Sequence, residues 1–351
     1  MISIPPEFDL QTYDYFLPEE NIAYYPPPDR TASKLLVIER RTGNLYFHEH
    51  FSEIELYLKE GDLLVFNDTK VFPARLRTKK NTGGKVEILL FEKPWGYSFI
   101  TQALVKGRGI KPHLKLKVFE DENIEITVLE HIEGAKFLIK IESFGETLEK
   151  AIERVGKVPL PPYIKREPEV ADIQRYQTVY AKKEGSIAAP TAGFHFDEAL
   201  LERLKKKGII ECFLTLHVGY GTFAPIKVRD IRKHKIEAEY IEISVDTIEQ
   251  LKRALKEGRR IIAVGTTVTR ALEFLGQRAL EPYEGLCDLY IYPGFNFKII
   301  NGLITNFHLP KSSLLILVCA FAGRELIFRA YEEALKRGYR FYSYGDATFI
   351  I

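Results

Sequence analysis

Three histidines stand among small residues and short apolar runs: His195 in GSIAAPTAGFHF, His217 in LTLHVGYGTF and His308 in LITNFHLPKSS. An imidazole changes charge near neutral pH, so each can move a proton or ligate a metal. Each, taken singly, also reads as a hydrogen-bonded core residue. The Gly and Pro around them let a backbone approach a ligand closely, and together the three point to a site. A metal tripod is the first chemistry to test, but no H-E-x-x-H or H-x-H pair is present, so no two of them meet locally.

Other segments offer groups for binding. The strand-like RRIIAV runs into Gly265, Thr266 and Thr267 and then a helix, whose first amides are an anion site or only an ordinary cap. Neither a Walker A loop nor a G-x-G-x-x-G fingerprint occurs. HVGYGTF places Gly219 and Gly221 after a strand, and GDLLVFNDTKVFPARL ends one in Asn67, Asp68 and Thr69, groups that hold ribose hydroxyls or form an Asx-turn.

A third pattern is charge. Net charge is only +2, yet residues 70–117 carry twelve Lys/Arg against Glu87 and Glu92, and residues 118–153 carry ten Asp/Glu against three Lys. Arg75, Arg77, Lys79, Lys80, Lys106, Arg108, Lys111, Lys115 and Lys117 have Trp95, Tyr97 and Phe99 among them. That mixture suits RNA, whose phosphates attract cations and whose splayed bases stack on aromatics; it also suits a solvated surface over a packed core.

These residues need a scaffold. VEILL, LKLKV, IEITVL and KFLIKI read as strands between turn residues, which predicts an all-β insert. After Glu153 helices and strands alternate: Asp197 caps DEALLERLKKKG, IIECFLTLHV follows, YIEIS precedes a helix from Asp246 to Lys256, and RRIIAV precedes a helix near Thr266. Ser312 starts the apolar SLLILVCAFAG. The expected fold is α/β: a mixed αβ main domain formed by residues 1–66 and 153–351, carrying an inserted all-β barrel-like domain over 67–152, the candidate RNA contact.

Composition sets limits. The 351 residues are 46% apolar and 28% charged, with ordinary Gly and Pro, which excludes wholesale disorder and collagen. Leu314–Ala322 is the longest strongly apolar run, too short for a bilayer, and MISIPPEFDL has no signal-peptide pattern, so a cytoplasmic protein is expected. Cys212, Cys287 and Cys319 form no C-x-x-C pair. Scarce Asn, Gln, Cys and Met beside abundant charge predict a thermophilic source.

The segments DYFLPEENIAYYPPPDR, GDLLVFNDTKVFPARL, GKVPLPPYI, GSIAAPTAGFHF, TLHVGYGTF, IIAVGTTVTRALE, DLYIYPGFNF, LITNFHLPKSSLLILVCAFAG and YRFYSYGDA occur in this order from end to end. Together they resemble the S-adenosylmethionine:tRNA ribosyltransferase-isomerase (QueA) family of queuosine biosynthesis. The resemblance implies transfer and isomerisation of the ribosyl moiety of S-adenosylmethionine onto 7-aminomethyl-7-deazaguanine at the tRNA wobble position, giving epoxyqueuosine-tRNA, adenine and methionine. The sulfonium acidifies C5′, a base removes a proton there, adenine departs, the substrate amine attacks C1′, and ring closure expels methionine.

On that pattern the catalytic candidates are His195, His217 and Asp68, and the substrate-binding candidates Thr191, Gly221, Thr222, Asn306, His308, Tyr344 and Asp346, with Tyr344 facing the sulfonium. Arg75, Arg77, Lys79, Lys80, Lys106 and Arg108 are the RNA-binding candidates. The resemblance implies a monomer with no metal, no cofactor beyond S-adenosylmethionine as co-substrate, no membrane and no obligate protein partner. The competing readings are a non-catalytic tRNA-binding protein and a metal-dependent hydrolase.

Overall fold

The computed structural model describes residues 4–351, apart from the side chains of Thr222 and Phe223. It divides into two compact units. One comprises Met1–Thr69, Gln177–Lys182 and Pro190–Ile351, the other Lys70–Tyr176 and Lys183–Ala189.

The first unit is built on a nine-stranded sheet. From edge to edge its strands are Tyr283–Cys287, Glu239–Ile243, Ile210–Leu216, Leu63–Asn67, Ile261–Val264, Gly302–Asn306, Ala347–Ile350, Leu35–Ile38 and Leu45–His48. Four in the middle, Ile210–Leu216 through Gly302–Asn306, run parallel. Ala347–Ile350 is antiparallel to the last of these and parallel to Leu35–Ile38. Leu63–Asn67, Ile261–Val264 and Gly302–Asn306 are buried at every residue, as continuous apolar runs covered on both faces must be.

Caps set the helices between them. Asp197 accepts from the Leu200 amide at 2.7 Å to start Glu198–Lys206. Ser244 caps Val245–Lys256, one residue ahead of the expected start, and Ser312 caps Ser313–Ala322. One core cluster joins Leu64, Phe66, Ile262, Val264, Ile304 and Phe349 of the sheet to Phe51, Phe196, Leu200 and Leu204.

The second unit holds a closed antiparallel barrel, in the order Lys136–Ser143, Ser98–Lys106, Lys85–Leu90, Arg75–Lys80, Lys115–Val118 and Ile124–Glu133. The sequence marks four of these strands. Arg75–Lys80 escapes notice because only Leu76 and Thr78 of RLRTKK are buried, and its cations mask the alternation. This unit also continues beyond Ile152. Helix Leu148–Val155 buries Leu148, Ala151, Ile152 and Val155, and Lys157 then bridges to Arg75 of the barrel. The change of period near residue 153 thus marks a helix within this unit.

Candidate active site

Parallel strands deliver their carboxyl ends to one edge of the sheet, where an α/β fold leaves a crevice. Here the four central strands end at Leu216, Asn67, Val264 and Asn306, and the residues that follow include His217, Asp68, Thr266 and His308. Asn67 is fully buried and ties the ends together: its Nδ2 donates to the Leu216 carbonyl at 2.9 Å and to Thr267 Oγ1 at 3.4 Å. Its Oδ1 accepts from the Leu216 amide at 3.0 Å and from the Thr69 amide at 3.1 Å, the second bond closing an Asx-turn.

Gly265 joins strand Ile261–Val264 to helix Thr266–Gly276 at φ +100°, a conformation that favours glycine. A Cβ there would lie 3.6 Å from the Cβ of Ala192, so the Thr191–His195 turn packs against this helix start. Within that turn Gly193 is fixed by space: a Cβ would meet the Tyr180 hydroxyl and lie 2.7 Å from Thr178 Cγ2.

The turn feeds a directed chain of hydrogen bonds. Thr191 Oγ1 donates to Asn306 Oδ1 at 2.9 Å, and Asn306 Nδ2 donates to His195 Nε2 at 3.1 Å. His195 Nδ1 therefore carries the proton and gives it to Ser33 Oγ at 2.7 Å, and Ser33 donates onward to the Arg30 carbonyl at 3.4 Å. Only 3% of His195 is exposed, and its ring lies 5.1 Å from that of Phe51. Burial, with the Arg340 and Arg30 charges, brings its pKa down to about 3. With both nitrogens engaged and the ring neutral, His195 orients Asn306 and Thr191.

His217 lies in different surroundings. Half-buried, it shares a hydrogen bond between Nδ1 and Thr69 Oγ1 at 2.7 Å and stacks on Tyr240 with 5.5 Å between ring centres. On the neighbouring strand end Asp68 Oδ1 accepts from Thr215 Oγ1 at 2.7 Å. The loop after His217 is pinned where the Gly219 amide donates to Glu239 Oε1 at 2.9 Å, and Glu239 is held by Arg270 in an ion pair that is 2–3% exposed. Gly221 is buried against Glu237, whose Cβ would lie 2.7 Å from an added methyl. The side chain of Thr222 lies outside the described residues.

Three further candidates are bonded or packed within the fold. His308 shares a bond between Nε2 and Thr305 Oγ1 at 2.9 Å, and burial lowers its pKa to about 3. Asp346 accepts from the Lys34 amide at 2.8 Å and the Arg340 amide at 2.6 Å, while burial pushes its pKa up. Tyr344, 2% exposed, stacks on Phe194 at 5.9 Å. His195 and His308 are thus engaged in separate bonds, and among the described residues no group of three His, Cys, Asp or Glu could hold a metal ion.

The profile of a family described as "Queuosine biosynthesis protein" matches residues 10–350. The chain belongs to this family. Among its relatives is the S-adenosylmethionine:tRNA ribosyltransferase-isomerase of Aquifex aeolicus (strain VF5), 51% identical over 97% of this chain and 99% of the relative. That of Hydrogenobaculum sp. (strain Y04AAS1) is 50% identical over 98% and 100%. The crystal structure of S-adenosylmethionine tRNA ribosyltransferase from Thermotoga maritima is similar with a TM-score of 0.55 and 35% identity, covering 98% of this chain and all of that one.

In this member of the queuosine biosynthesis family, several residues that shape the site carry no sequence signal of their own. Ser33, Glu239 and Arg270 become visible only when the fold joins Ser33 to His195 and the Glu239–Arg270 pair to Gly219, and Thr69, which the sequence offers as a ribose or turn group, is found bonded to His217. The barrel cations are also altered by their surroundings. Arg75 pairs with Glu87 at 2.6 Å, Arg77 with Glu120, and Lys79 with Glu122 at 2.6 Å. Lys80 donates to the Arg108 carbonyl, whereas Lys106 and Arg108 make no ion pair among the described residues.

Proposed function

We propose that this chain transfers the ribosyl moiety of S-adenosylmethionine to 7-aminomethyl-7-deazaguanine at the tRNA wobble position and isomerises it, leaving epoxyqueuosine-tRNA, adenine and methionine. What carries the reading is the likeness, over nearly the whole chain, to relatives named for that activity. The crevice at the carboxyl ends of the four parallel strands supports it, because it gathers the groups that a base, a proton donor and ribose ligands require.

His217 and Asp68 are the catalytic pair in this reading. His217 takes the C5′ proton made acidic by the neighbouring sulfonium, and Asp68 orients the ribose or the attacking amine. Thr191, held by Asn306, meets the ribose hydroxyls, and the first amides of helix Thr266–Gly276 meet the methionine carboxylate. His195 is a positioning residue and changes no charge during turnover. The tRNA is met by the barrel cations left without carboxylate partners, Lys106 and Arg108, together with Lys80. The wobble base is read unstacked from its loop. No metal and no further cofactor enters the proposal, and a cytoplasmic setting follows from the tRNA substrate.

The deciding experiment is adenine release from S-adenosylmethionine by chelator-treated protein with tRNA that carries the aminomethyl-deazaguanine. Release with that tRNA and none with unmodified tRNA is expected. Binding of both tRNAs without release would establish the non-catalytic reading instead.

A further inference from the structure

A second polar cleft lies in the first unit, away from the crevice. It has a volume of about 770 Å³ and is lined by Arg40, Arg41, Arg324 and Arg329 together with Glu7 and Glu325. Arg40 follows strand Leu35–Ile38 and donates to the carbonyl of Asn301, the residue before strand Gly302–Asn306. The cleft is therefore at the amino end of the strand whose carboxyl end bears Asn306. Five residues at about 3.3 Å each separate the two places by roughly 15 Å.

Three of the guanidinium groups are anchored to main-chain carbonyls. Arg40 donates to Asn301 at 2.9 Å and to Phe321 at 3.2 Å, with its carbon 3.9 Å from the centre of the Phe321 ring. Arg324 donates to Pro6 at 3.3 Å, and Arg329 to Gly43. None of the four forms an ion pair with a carboxylate among the described residues. The barrel cations Arg75, Arg77 and Lys79, by contrast, are all matched.

A guanidinium has five N–H donors, and one or two bonds to carbonyls fix its plane while leaving the rest unspent. Fixed, unpaired guanidinium groups around a cleft are the arrangement that phosphate oxygens select, since their fork matches two oxygens at once. The two glutamates leave a surplus of two positive charges. The first turn of helix Arg324–Lys336 and the last turn of helix Ser313–Ala322 both end in the wall, so their dipoles offset and the arginines carry the surplus charge.

We propose that this is a phosphate-binding cleft and that the tRNA backbone supplies the phosphate, gripping the substrate at a point separate from the pocket that receives its base. The proposal rests on the reading of the chain as a tRNA-modifying enzyme. Arg41 and Arg329 are exposed and stand outside the catalytic crevice, which makes them the residues to change.

The test compares wild type with the Arg41→Glu/Arg329→Glu and Arg41→Ala/Arg329→Ala variants, each checked for an unchanged melting temperature. Binding of full-length tRNA is measured across a salt series, and tripolyphosphate is used as a free competitor. The expected result is a tRNA dissociation constant raised about tenfold or more in the Glu variant, less in the Ala variant, with the salt slope reduced by about one to two units. Adenine release at saturating tRNA stays at the wild-type level. Loss of tripolyphosphate binding with unaltered tRNA binding would keep the phosphate site and overturn its assignment to RNA. Unaltered binding of both overturns the proposal outright, whereas absence of adenine release from wild type strikes the enzymatic reading and leaves the binding result standing.

Discussion

Replacing His195 separates a proton carrier from a positioning residue. In His195→Ala the ring is lost from a site 3% exposed, and the Asn306 amide loses its acceptor while Ser33 Oγ loses its donor. An unpaired buried donor costs about 1–3 kcal/mol, and emptying a ring-sized space against Phe51 adds to it, for a total of about 3–5 kcal/mol. In His195→Gln the side-chain oxygen can still accept from Asn306 Nδ2, so Asn306 keeps its hold on Thr191 and only the Ser33 bond is given up, at about 1–2 kcal/mol. Urea unfolding reads the first quantity. Adenine release with modified tRNA, followed between about pH 5.5 and 9, reads what each substitution does to turnover. The expectation is that Gln restores turnover to within a few fold of wild type while Ala does not, and that the acid limb of kcat/KM is the same in all three proteins. A general base gives another pattern: both variants lose about 10²–10⁴-fold and the acid limb disappears. That outcome would refute the positioning role.

Other expectations follow from the same geometry. His217→Ala and Asp68→Asn should each lower adenine release by about 10²–10⁴-fold with tRNA affinity kept, and a wild-type pH profile in His217→Ala would remove His217 from proton transfer. Gly193→Ala drives a methyl into the Tyr180 hydroxyl and should destabilise by about 1–3 kcal/mol, partly recovered by adding Tyr180→Phe; denaturant titration of the two variants decides this. Stability should fall as pH is lowered from about 6.5 towards 3, because the unfolded chain protonates His195 and His308 over that range while burial keeps both neutral in the fold. Each histidine contributes a slope of about 1.4 kcal/mol per pH unit, so His195→Gln should flatten the curve, and an unaltered slope would contradict the buried neutral ring.

Much of the frame was legible because it depends on local rules. Asp197 and Ser312 cap their helices through bonds to residues three positions on, and such spacing is visible in a sequence, whereas the helix expected from Asp246 starts at Val245 under a cap from Ser244. The crevice was legible only as separate loops. What turns Asn67, His217, Thr266 and Asn306 into neighbours is the register of four parallel strands, and parallel pairing is non-local. The roles of the histidines were less legible still, since the sequence cannot separate a ring with both nitrogens bonded from one that faces a ligand. Ser33 and Asn306 stand 162 and 111 positions from His195, yet they fix its tautomer.

The barrel shows why a charge run is a poor guide to a binding face. A basic stretch followed by an acidic one looks like two opposed patches along a line, but an antiparallel barrel folds the line back on itself. Lys115 then pairs with Glu125 at 2.7 Å and Lys79 with Glu122 at 2.6 Å, and the reversal of sign becomes local neutrality. Exposed pairs of this kind contribute only about 0–1 kcal/mol to stability, but each removes a cation from the reach of a polyanion. The quantity that decides where RNA can bind is therefore the cation left unmatched after folding. By that measure the four arginines of the main-unit cleft, which no count along the sequence singles out, outrank Arg75, Arg77 and Lys79. Charge reversal at Lys79 should accordingly change the salt slope of tRNA binding less than charge reversal at Arg41, and measuring the two slopes side by side tests the rule directly.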